Sequence, residues 1–129
     1  MDSTTIFLAQ LLGISYGVVG LALLFNYDSF EKVIKDLFKN KGLTWLAGLL
    51  TLVAGAAMVL HHNIWEGNWV TILVTVFAWA ALLKGVFYVI VPEFMEKWAK
   101  AVLKLGWLQY GSVVVIALSL CFIYAGFLV

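Results

Sequence analysis

The sequence predicts an all-α protein, a bundle of four transmembrane helices joined on one side by two amphipathic helices. Two observations carry this. Apolar residues make up 64% of the 129-residue chain and charged residues only 12%. The mean hydropathy of +1.04 lies far above that of a soluble domain. Four apolar stretches, about Thr5 to Phe25, Leu43 to Leu60, Trp69 to Val91 and Trp107 to Val129, are each near the roughly 20 residues that cross a bilayer as a helix. They leave little sequence for a soluble domain, so one integral membrane domain, residues 1–129, is expected.

The first stretch reads as a retained span. It lacks a basic leading region and is followed by charged residues, not by a small-residue cleavage site. Gln10, Gly13, Gly17 and Gly20 form a small or polar stripe along it. Next comes a charged segment. Asp28 and Glu31 have capping-box spacing, and Phe30, Val33, Ile34, Leu37 and Phe38 follow helical periodicity. Lys32, Lys35 and Lys39 take the other face, and Gly42 can end the segment.

The second span carries Gly48, Thr51, Gly55, Met58 and His62 as its stripe. The connection from His61 to Asn68 has no basic residue. The third span carries Thr71, Thr75, Ala78, Leu82 and Gly85. Pro92, a natural first helical position, opens a second amphipathic segment with Glu93 in its first turn. Phe94, Trp98, Val102 and Leu105 are its apolar face, Lys97, Lys100 and Lys104 its basic residues, and Gly106 follows. The last span carries Gln109, Ser112, Ile116, Ser119, Ile123 and Gly126. Membrane helices associate through small residues and interhelical hydrogen bonds, so these stripes should face one another. The competing expectation is a polar pathway lined by Gln10, Thr51, Thr75 and Ser119.

All eight basic residues are lysines, and all except Lys84 lie in or beside the two amphipathic segments. The positive-inside rule places those segments in the cytoplasm and both termini outside. Trp65, Trp69 and Trp107 near span ends suit interfacial positions. The six lysines Lys32, Lys35, Lys39, Lys97, Lys100 and Lys104 are expected to contact lipid headgroups. Interleaved acidic residues weaken a polybasic reading. The chain also repeats itself at an offset of 65 residues: Gly20 matches Gly85, Glu31-Lys32 with Lys35 matches Glu96-Lys97 with Lys100, and Lys39 matches Lys104. This predicts a parallel duplication with half-repeats at about 1–62 and 67–129.

Candidate chemistry is sparse. Lys84 is the one charge well inside a span, which makes it a functional candidate by default. Its helical position points away from the small-residue stripe, alongside Phe77, Ala80 and Tyr88, toward lipid or another subunit. Its stem could snorkel to the headgroups. No Asp or Glu lies within a span, which argues against a proton-coupled transporter built on a membrane carboxylate. His61 and His62 are adjacent at a span end, where an interfacial histidine is expected. Spacing supports no metal site there. The lone Cys121 allows no intrachain disulfide. No phosphate loop, nucleophile elbow or zinc-protease signature is present, and nothing supports nucleic-acid binding.

The run His62-Asn63-Ile64-Trp65, then Trp69, Thr75, Trp79, Lys84-Gly85 and Pro92, resembles a family of small uncharacterised bacterial inner-membrane proteins. The Gly-Leu-Ala-Leu-Leu run from Gly20 is similar as well. Ala78 stands where that family tends to have glycine before tryptophan. The resemblance covers about the first 95 residues and implies four membrane helices in a bacterial inner membrane, so that the outward termini would be periplasmic, with no activity attached. It singles out His62, Asn63, Trp65, Thr75, Trp79 and Lys84 as a group.

The expected function is therefore that of a non-enzymatic structural or accessory membrane protein without a cofactor. It would act through lipid, self-association into a homo-oligomer, or a membrane-protein partner. An oligomeric channel or small-solute transporter is the alternative, and a haem- or metal-binding redox subunit a third reading.

Overall fold

The computed structural model describes residues 3–128, with the side chains of residues 107–109 and 128 outside the description. The expected roles of Trp107 and Gln109 fall on those side chains and so lie outside the described residues. Among the described residues the chain is all-helical. The order is α1 (Ser3–Phe25), α2 (Tyr27–Lys39), α3 (Lys41–His61), α4 (Trp69–Ile90), α5 (Pro92–Leu105) and α6 (Trp107–Ile123). A π-helical turn, Tyr124–Leu128, continues α6. Four segments are long and apolar enough to cross a membrane: Ser3–Phe25, Lys41–His61, Trp69–Ile90 and Tyr110–Phe127.

Helix ends follow local chemistry. Asn40 closes α2 and also caps α3, its side-chain oxygen accepting from the Leu43 amide at 3.1 Å. Gly42 consequently lies inside α3 and ends nothing. The expected cap at Asp28 is likewise corrected. The N-cap of α2 is Asn26, which makes no side-chain cap bond, and Asp28 sits in the first turn where its charge favours the helix dipole. Asn68 caps α4 through the Thr71 amide at 3.0 Å. Pro92 opens α5, and Gly106 ends it in the left-handed conformation at φ 72°.

The long helices associate as two antiparallel pairs, α1 with α6 and α3 with α4. Glycine sets both. Added Cβ atoms at Gly13, Gly17 and Gly20 would meet Ile123, Ser119 and Ile116 of α6. Those at Gly48, Gly55 and Gly85 would meet Tyr88, Leu82 and Leu52 across the other pair. At Gly55 and Gly85 the atoms met are backbone, so these two helices touch almost main chain to main chain. The pairs join through α1 against α4, where Leu8, Ala9, Leu12, Val70, Val74, Phe122 and Ala125 form the buried core. Phe77 lies between Tyr16 and Phe122, with ring centroids 5.5 and 5.1 Å away. At the opposite end α2 touches α5.

The residues that a polar pathway would use are hydrogen-bonded within the protein. Gln10 donates to the Gly126 carbonyl at 2.9 Å, and Ser119 donates to the Gly13 carbonyl at 2.9 Å. Thr51 bonds back to Ala47 of its own helix at 2.8 Å. Thr75 belongs to the cluster described next.

Candidate functional site

Five of the six singled-out residues meet at one place, where α3 ends, α4 begins and α1 passes by. His62 follows the last turn of α3, and its backbone amide bonds to the Met58 carbonyl. This turns the imidazole inward, so that it is fully buried, as is Thr75. The expectation of an interfacial histidine is corrected here: His62 is a core residue, whereas His61 is exposed. The reason is that both ring nitrogens find partners inside. Nε2 lies 2.8 Å from the Thr5 hydroxyl of α1, and Nδ1 lies 2.9 Å from the Thr75 hydroxyl of α4.

Thr75 also ties down the connection. Its Oγ1 accepts from the Ile64 amide at 3.2 Å and lies 2.8 Å from the Ile64 carbonyl and 3.1 Å from the Thr71 carbonyl. A hydroxyl has one hydrogen and two lone pairs. With the Ile64 amide donating to Thr75 and Thr75 donating to the Ile64 carbonyl, one lone pair of Thr75 is left to accept from the His62 Nδ1 side. The imidazole thus bridges three helices with a hydroxyl at each ring nitrogen.

Asn63 and the tryptophans form the outer part of the cluster. The Asn63 side-chain oxygen accepts from the Trp65 indole N–H at 2.9 Å and from the Trp79 indole N–H at 3.1 Å. A carbonyl oxygen has two lone pairs, so both bonds can form at once. Trp79 stands one helical turn beyond Thr75 on α4, which places both on the side facing the connection.

Lys84 is apart from this group. It is nine residues beyond Thr75, roughly 13 Å further along α4. Its ammonium lies 6.0 Å from the Tyr88 ring centroid. Lys84 is exposed, on the outward side of α4, and lines a recess of about 390 Å³ between α4 and α5 and a second of about 220 Å³ shared by α2, α4 and α5. The other apolar walls come from α2 and α5, which fold back over this end of α4. Phe38 is buried there, its ring stacked 5.9 Å from that of Tyr88.

The six basic residues of α2 and α5 are exposed. Lys35 pairs with Glu31 at 3.0 Å and Lys100 with Glu96 at 2.9 Å, each one turn apart. These four, with Lys39 and Lys104, line a groove of about 400 Å³ between the two helices. Exposed pairs of this kind add little stability.

Nothing in the His62 cluster is arranged as an activated nucleophile. Its two threonine hydroxyls and the imidazole are taken up by one another and by backbone. Among the described residues no three His, Cys, Asp or Glu side chains converge as metal ligands would. Sequence reasoning missed Thr5, whose partner is 57 residues away and whose own neighbourhood has no signal. It also missed Asn68, although asparagine just before an apolar helical run is a readable cap. No protein-family model, curated protein or solved structure matches the chain.

Proposed function

We propose that this chain is a non-enzymatic integral membrane protein of structural or accessory role, acting through lipid, a membrane-protein partner or further copies of itself. One observation carries the reading. Gln10, Ser119, Thr5 and Thr75 spend their polar groups on bonds that join helices or the α3–α4 connection, while the outward faces are largely apolar. Phe7, Ile14 and Val18 of α1, Leu50 and Val53 of α3, and Val113 and Leu120 of α6 are all exposed. Of the 21 residues of α3 only Thr44, Gly48 and Gly55 are buried in the protein. Exposed apolar surface on that scale calls for lipid or protein against it.

The lysine distribution orients the molecule with α2 and α5 in the cytoplasmic interface and the His62 cluster on the outer side. Both helices expose their lysines and bury apolar side chains, Phe38 in α2 and Met95 and Leu103 in α5, which suits helices lying in the membrane plane. The likeness of the His-Asn-Ile-Trp region to small bacterial proteins supports the inner membrane and membership of that family.

The packing register supports internal duplication. A shift of 65 residues carries the Gly17–Ser119 contact onto positions 82 and 54, one residue from the observed Leu82–Gly55 contact. It carries Gly20–Ile116 onto positions 85 and 51, one residue from the observed Gly85–Leu52 contact. The same exchange maps α1–α6 onto α4–α3, and it leaves the α1–α4 and α2–α5 contacts in place. Such halves are related by an axis along the membrane normal.

The test is ion flux from liposomes holding the purified protein. Leakage no faster than from protein-free liposomes is expected. Saturable, ion-selective flux would overturn the proposal in favour of an oligomeric channel or transporter.

A further inference from the structure

The accessory reading leaves open what occupies the recess at Lys84, and the inference that follows rests on that reading. Lys84 is the one charged residue inside the α4 span. Among the described residues it forms no ion pair, and neither recess that it lines holds an acidic residue. Its surroundings are Leu83, Phe87, Phe94 and Trp98 on one side and Phe38 and Tyr88 on the other. A lone ammonium against apolar walls is costly unless a counter-charge joins it. The recess of about 390 Å³ and the cavity of about 220 Å³ meet at Lys84 and Trp98, and each approaches or falls within the size of small-ligand sites.

A second copy of the chain cannot supply that counter-charge at this depth, because none of the four spans contains Asp or Glu. An anionic lipid can, since it brings a phosphate and an acyl chain together. We propose that the α4–α5 recess binds one anionic phospholipid of the cytoplasmic leaflet, its phosphate on the Lys84 ammonium and its acyl chain along Leu83, Phe87 and Phe94. Lys84 lies eight residues before Pro92, roughly 12 Å below the end of α4, within reach of a snorkelling side chain and a slightly sunken headgroup. Trp98, at the mouth, has the amphipathic ring that interfaces favour.

The test uses the intact protein equilibrated in equimolar phosphatidylglycerol and phosphatidylcholine, with retained lipid counted by native mass spectrometry. One phosphatidylglycerol per chain is expected, favoured about fivefold or more over phosphatidylcholine. Lys84→Met should bring the preference to about even, and Lys84→Arg should keep it. Ala80→Phe, which fills the recess and leaves the charge, should abolish retention and carries the test if Lys84→Met does not fold. Absence of preference in the unmodified protein would overturn the inference. So would a preference that survives Lys84→Met but vanishes in Lys39→Gln/Lys104→Gln, which would place the lipid in the lysine groove. Displacement by millimolar inorganic phosphate would mark a free-anion site and overturn it as well. Liposome flux from the same preparation bears on the accessory reading alone, so failure of one is distinguishable from failure of the other.

Discussion

The His62 Nδ1 lies 2.9 Å from the hydroxyl of Thr75, and the same hydroxyl reaches both backbone groups of Ile64. One threonine thus sets the imidazole and the chain direction after α3. Thr75→Val keeps the shape and removes the hydroxyl. It leaves buried groups of His62 and Ile64 unpaired, at a cost of about 1–3 kcal/mol. Thr75→Ser should recover most of that. Reversible unfolding in mixed micelles measures both, and a Thr75→Val protein as stable as the parent would remove the clasp from the account.

Asn63 holds two indoles through one oxygen. Asn63→Leu removes both bonds from an exposed site, so the stability loss should be small, about 1 kcal/mol or less. The clearer readout is optical. Trp65 and Trp79 lose their shared acceptor, and the tryptophan emission of the variant should shift while its helical circular dichroism stays unchanged. Identical spectra would show that the bonds do not persist in the membrane.

Close helix contact makes a graded prediction for glycine. Gly55→Ala and Gly85→Ala thrust a methyl group into the backbone of the facing helix, and each should destabilise by about 1–3 kcal/mol through forced separation of α3 and α4. Gly17→Ala meets chiefly the movable Ser119 oxygen and should cost less. Gly111→Ala has nothing within 4 Å and should be near neutral or slightly stabilising. Equal effects at Gly55 and Gly111 would contradict the packing.

Orientation is open to labelling. In a Cys121→Ser background, cysteines placed at Glu66 and at Asp36 should react oppositely with a membrane-impermeant thiol reagent added to intact cells. Position 66 should label and position 36 should not. The reverse pattern would invert the topology and move the Lys84 recess to the outer leaflet.

Several particulars were readable without coordinates. Pro92 and Gly106 mark the ends of α5 because ring geometry and a left-handed cap are local properties. The glycine stripe of α1 faces α6 because periodicity fixes which residues share a side. Gly42 and Asp28 misled, since Asn40 and Asn26 stand at the true ends and several turn-forming residues compete within each short connection. The motif residues His62, Asn63, Trp65, Thr75 and Trp79 could be grouped on resemblance, but their hydrogen bonds could not be read.

Taken by itself, the sequence determined the all-helical class, the four apolar spans, the two charged connectors and the sides on which lysine and glycine fall. These follow from composition and from a period of 3.6 residues, which act along the chain. The tertiary structure alone decided that α1 pairs with α6 and α3 with α4, that His62 is buried rather than interfacial, and that α2 and α5 supply walls to the recesses at the exposed Lys84. Each depends on a partner distant in sequence, Thr5 for His62 and Phe38 beside Tyr88 for the Lys84 cavity. Whether a polar side chain is buried is decided by whether such a partner arrives, and no local pattern records that.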